Sequence, residues 1–253
     1  MTTEGGLGPL GFATIALLLM VQACASPVSV YPYCKGTTAE SHYECGRHYQ
    51  YDLRDYQAAI REYSEVLRVY PHSAPALNNR GIAYRETGQL REAIEDFTLL
   101  IRDQPTSVLA YNNRAKAFRQ KNEPDFAMAD LYMAISIDPT FADGFYGRAE
   151  LRFKAGDLDG AIDDYTKAIL FYAEAANGPS DRVKLWFDRG QYRSPSRANP
   201  EIREIDQYLA ETYWRRSVVY KAMGNRSSAD WDLKEAHRID PSLSTRDDWS
   251  AGE

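Results

Sequence analysis

Side chains able to carry covalent or metal chemistry are few in this chain, and they are scattered. Its four histidines are His42, His48, His72 and His237. None stands with a second ligand at the spacing that would put two donors beside one zinc ion. Asp163 and Asp164 are adjacent, so on a helix they point to different sides and cannot divide acid and base roles across a substrate. No nucleophile elbow, phosphate-binding glycine loop or dinucleotide glycine pattern occurs. These observations argue against an enzyme and give no reason to expect a metal or a cofactor.

The three cysteines each suggest a use. Cys24 follows an apolar run, Gly11 to Ala23, that is too short to cross a bilayer and ends in small residues, as export signals do. The segment before that run holds Glu4 and no basic residue, whereas most export signals begin positively charged. Val21, Gln22, Ala23 and Cys24 resemble the bacterial lipobox. The resemblance implies removal of residues 1–23 and lipidation of Cys24 as the first mature residue. With Ala25 rather than an acid next, it implies an outer-membrane lipoprotein facing the periplasm. Ala23, Cys24 and Ala25 also form an A-x-A site, which would cut before Ser26 and give a soluble periplasmic or secreted protein. Cys34 and Cys45 are an even pair: a disulfide closing a short loop, as an oxidising compartment allows, or two unpaired thiols. Bridged, they would pin the tether, residues 24–39, and add about 2–4 kcal/mol by restricting the unfolded chain.

Behind the tether the sequence repeats every 34 residues, over 40–73, 74–107, 108–141, 142–175 and 210–243. One column holds Ala59, Ala93, Ala127, Ala161 and Ala229; four residues later come Tyr63, Phe97, Leu131, Tyr165 and Leu233. Gly81, Ala115, Ala149 and Ser217 are the small residues of a preceding helix, and two antiparallel helices approach closely only where both contacts are small. Gly88, Asn122, Gly156 and Gly224 stand where that helix must end in positive φ. Pro71, Pro105, Pro139 and Pro241 stop the second helix, with Ala173 the one break in the column. The first unit departs from the pattern, with Arg47 at the small position and Arg54 at the cap, so its second helix, 56–69, is the part the sequence secures.

This order of small, aromatic and proline positions at this length resembles the tetratricopeptide repeat (TPR) family. The resemblance implies an all-α, right-handed solenoid of helix-turn-helix units whose first helices line a concave, partner-binding face. Carried over by offset, that lining is Asn78, Ile82 and Arg85, then Asn112, Lys116 and Arg119, then Tyr146, Glu150 and Phe153, then Trp214, Val218 and Lys221. The pairs Asn78–Asn79 and Asn112–Asn113 suit either hydrogen bonding to a bound peptide or a network between neighbouring first helices. No lysine stands at the Asn78 and Asn112 offset, so the carboxylate-clamp activity of some members is not expected. Arg80, Arg114, Arg148 and Arg216 recur against Asp96, Asp130, Asp164 and Asp232 and read as register-fixing ion pairs.

Residues 176–198 interrupt the array, with Pro195 where a repeat would need alanine. Arg182, Lys184, Trp186, Arg189 and Arg193 make this excursion basic and aromatic within a chain of net charge −6. It reads either as a grip for an anionic partner or as a cover for the fourth repeat. Nucleic acid is not an expected partner of an acidic protein with no basic stripe along its helices. The expectation is a scaffold for protein or peptide partners in the bacterial envelope. The alternative is a self-associating structural component, because the tail 244–253 supplies no polar capping helix.

Overall fold

The computed structural model describes residues 34, 36–177 and 200–245, and these are helical throughout, with no strand among them. The export segment with Cys24, the basic excursion and the last eight residues lie outside this description. Ten α-helices follow in order: α1 (Ala39–Arg47), α2 (Tyr56–Val69), α3 (Ala74–Glu86), α4 (Leu90–Asp103), α5 (Val108–Gln120), α6 (Pro124–Ile137), α7 (Ala142–Lys154), α8 (Leu158–Asn177), α9 (Pro200–Ala222) and α10 (Arg226–Ile239). They pair as five antiparallel hairpins stacked in sequence. First helices of successive hairpins touch, α3 with α5 and α5 with α7, which puts them on the inner side of the curve.

Each sequence column has its physical counterpart. A Cβ on Gly81 would meet the Phe97 ring at 2.8 Å, so the hairpin closes only around a residue without a side chain. Gly88, Asn122, Gly156 and Gly224 all have φ between +61 and +82 at the turns between paired helices, where such φ values cost glycine and asparagine least. Helices α2, α4, α6 and α10 end two residues before a proline. Ala173 replaces that proline in α8, which alone among the second helices runs on, for 20 residues.

The first hairpin corrects the sequence expectation. Its first helix forms, and Gly46 rather than residue 47 is the small contact, with a built Cβ 2.7 Å from the Tyr63 ring. Tyr63 thus follows its glycine by 17 residues where Phe97 follows Gly81 by 16. A π-helical turn at His48–Asp52 absorbs the extra residue, with the Leu53 N–H donating to the His48 carbonyl at 3.2 Å. Arg54 then adopts φ +54, the cap conformation its glycine counterparts take elsewhere.

The arginine column is an interlock. Arg80, Arg114, Arg148 and Arg216 each donate two bonds of 2.7–2.8 Å to the aspartate 16 residues on, within their own hairpin. Three of them also reach back to a hydroxyl on the preceding hairpin, Arg80 to Ser64, Arg114 to Thr98 and Arg216 to Thr166. Arg148 instead stacks on Tyr132, 4.7 Å from the ring centre. Thr166 lies 50 residues before Arg216, which is 16 plus one 34-residue repeat. The last hairpin therefore docks on the fourth as though the intervening segment were absent.

Helices α8 and α9, lengthened on either side of that segment, pack Ile169 and Tyr172 against Ile205 and Leu209. The end of the array is not bare. A 3-10 turn at Pro241–Thr245 buries Leu243 against Ala210, Trp214 and Ala236, so the expected uncovered apolar face is covered in part by the chain itself.

Candidate partner-binding groove

The inner face has two depressions of different character. Towards the N-terminal end a trough of about 820 Å³ runs between Tyr43, Pro75, Asn78, Asn79, Leu109, Ile137 and Thr140. It exists because the starts of α3 and α5 and the turn after α6 leave side chains of modest size facing one another. The asparagines form its floor by bonding among themselves. Asn113 Nδ2 donates to Asn78 Oδ1 (2.9 Å), Asn78 Nδ2 to Asn79 Oδ1 (3.2 Å) and Asn79 Nδ2 to the Tyr43 hydroxyl (3.3 Å). Of the two sequence readings for these asparagines, the network describes Asn78, Asn79 and Asn113.

Nearer the middle, a notch of about 130 Å³ is lined by Asn112, Lys116, Arg119, Asp143, Tyr146, Tyr172 and Tyr208. Its charges neutralise one another across the repeat junctions. Lys116 Nζ approaches Asp143 at 3.4 Å, Arg119 pairs with Glu150, and Arg215 reaches both Glu150 (3.6 Å) and Glu211 (3.0 Å). The buried Tyr172 hydroxyl donates to Asp143 Oδ1 at 2.6 Å. Burial, then the Asp143 charge, holds the Tyr172 phenol well above its ordinary range. Burial and the neighbouring Glu150 raise Tyr146 in the same way.

The residues named from sequence thus divide. Asn78, Asn112, Lys116, Arg119 and Tyr146 line the two depressions. Arg85 lies half-buried against Glu86, and Glu150 anchors the cations beside the notch. Ile82, Trp214 and Val218 face into hairpin cores instead, because the helix turns them towards Phe97 or Leu243. Lys184, Trp186 and the three arginines Arg182, Arg189 and Arg193 lie outside the described residues. Sequence reasoning missed Tyr43, Asp143, Tyr172 and Tyr208. Tyr172 lies where the other second helices have already ended and Tyr208 precedes the last repeat, so no column marks them.

Cys34 and Cys45 are bonded through sulfur, with Cα atoms 5.2 Å apart. Cys45 is buried beside Gly46 in α1, the helix that carries Tyr43 into the trough.

The fold is that of a TPR solenoid, and comparison with known structures bears this out. Residues 48–108 and 79–141 match the tetratricopeptide repeat family model. None of the curated proteins compared with the chain matches it in sequence. Among solved structures, MamA superposes with a TM-score of 0.56 at 20% identity, over 85% of this chain and 98% of MamA. TTC0263, a thermophilic TPR protein of Thermus thermophilus, gives 0.57 at 19%, over 83% and 96%. YrrB, a TPR protein with an unusual peptide-binding site, gives 0.50 at 15%, over 83% and 92%. At these identities the likeness is one of fold.

Proposed function

We propose that this protein is a non-catalytic scaffold that holds a protein or peptide partner along the inner face of its solenoid. The observation that carries the reading is the open trough, walled by Tyr43, Pro75, Leu109 and Ile137 and floored by satisfied asparagines. A groove that mixes apolar walls with fixed polar groups suits an extended chain or one face of a helix. The peptide-binding site of YrrB, on a similar fold, supports the same use. Thr106 is exposed at the trough's edge, so Thr106→Trp should block the trough and abolish partner capture while leaving the denaturation midpoint unchanged. Unaltered capture would remove the trough from the account.

The compartment we propose is the bacterial envelope, with Cys24 lipidated and the protein on the outer membrane. The lipobox-like residues Val21 to Cys24 and the Cys34–Cys45 bridge support export. Membrane fractionation of Cys24→Ser tests the anchor: the variant should appear in the soluble fraction, and continued sedimentation with membranes would reject lipidation. The basic excursion, by its composition, is a second contact for an acidic partner. Self-association is a second reading, favoured by Met223 and Trp231, exposed on the last hairpin. A monomeric mass in solution at high concentration would end it.

A further inference from the structure

Asn112 is 1% exposed and its Nδ2 finds no hydrogen-bond partner. Its counterpart Asn78 and both neighbouring asparagines are bonded in the network beside it. A buried amide donor left unmatched costs folding free energy, and this one lies on the wall of the notch. Lys116, one turn along the same helix face and one-third exposed, lines the same notch.

We propose that the notch selects its partner through one neutral amide side chain, glutamine or asparagine, seated between Asn112 and Asp143. This rests on the reading of the inner face as a partner groove and names what one point of that groove recognises. The volume admits a single short side chain and not a continuous backbone. An amide oxygen accepts from Asn112 Nδ2, and the amide nitrogen donates to Asp143 Oδ2, which is held by Lys116 at a loose 3.4 Å. The stacked rings of Tyr172 and Tyr208, centroids 5.8 Å apart, supply a flat apolar wall for the aliphatic part. Charge decides against the rivals. The two cations that line the notch, Lys116 and Arg119, already meet Asp143 in it and Glu150 beside it, and Glu150 also takes Arg215. A charged side chain would have to break one of these pairs in a partly desolvated site. An apolar one would leave Asn112 unmatched, and sites built around a buried polar group reject ligands that lack its complement.

The test is selection of a random short-peptide display library on the mature chain, repeated on Asn112→Ala and Asn112→Asp. The strongest selected peptide is then titrated, as a capped synthetic peptide, against its Gln→Glu and Gln→Leu forms. Glutamine or asparagine should be enriched at one position, each replacement should weaken binding roughly tenfold or more, and both Asn112 variants should lose the preference. The Asn112 side-chain amide resonance should shift on adding the glutamine peptide to the unaltered chain, a readout that does not depend on how the variants fold. Peptides selected without an amide preference, a preference that survives both variants, or acidic peptides selected through Lys116 would overturn this inference and leave the groove reading standing. A library that yields no binding peptide would overturn the groove reading itself.

Discussion

The first helices present two faces, and the faces behave differently. Towards the second helices, Arg80, Arg114, Arg148 and Arg216 and the small residues beside them repeat in register, and these four repeats solve the same packing problem in nearly the same way, with the first hairpin the exception. At the offset carried over to the groove stand Asn78, Asn112, Tyr146 and Trp214, and each has a different environment: the first three line the inner face, and Trp214 turns into a core. The hairpin interior is a property of the repeat. The groove is a property of each junction, set by which side chains happen to meet across it.

That contrast can be broken most forcefully from the hairpin side. Asp164 is fully buried and accepts bonds from both Arg148 and Arg152. Asp164→Ala should cost about 3–5 kcal/mol, because it strands the buried Arg148 guanidinium; a urea midpoint close to the unaltered chain's would show that the interlock is ornamental.

Alkali attacks both faces together. Burial holds Tyr63 and Tyr165 in the hairpins, and Tyr146 and Tyr172 at the groove, above the ordinary phenol range. Unfolded phenols ionise near pH 10, so stability is intact below that pH and falls as pH rises through the window up to the raised folded values. Each phenol steepens the fall by about 1.4 kcal/mol per pH unit. Replacing Tyr146 and Tyr172 by Phe should therefore flatten it by about 3 kcal/mol per unit. Parallel unfolding curves for the double variant and the parent would contradict the burial of the groove pair.

Overpacking is milder. Ala127 has no exposed surface and packs beside Ala115 and Leu131, and Ala127→Leu should cost about 1–3 kcal/mol in a denaturation midpoint. A change near zero would misplace the alanine column. Smallest of all is Lys116→Ala, whose partly exposed pair with Asp143 contributes about 0–1 kcal/mol. A large loss there would mean that the groove, too, is held by its ion pairs.

The same contrast explains what could be read from the sequence. The 34-residue period, the caps and the arginine–aspartate pairs were legible because the same requirement recurs and leaves a column. Gly46 was harder. The π turn at 48–52 shifts it one residue out of register, and a period count then finds Arg47 in its place. The groove was legible only by offset. Offset names the helix face correctly for Asn112, Lys116 and Arg119, but it does not tell that Trp214 and Val218 rotate into a core closed by Leu243. Tyr172 and Tyr208 owe their place to a missing proline at 173, the one break in its column, and to the helix that resumes at Pro200, before the last repeat begins.

We propose that the inner face holds a polypeptide, and crosslinking tests this directly. A photo-crosslinking residue at position 106, on the trough's edge, can be compared in living cells with one at position 133, an exposed site on α6. The account predicts a discrete protein adduct from position 106 that disappears when the trough is blocked by a bulky residue at 140, and none from position 133. Adducts from 133 alone, or from both sites equally and insensitive to the block, would contradict it.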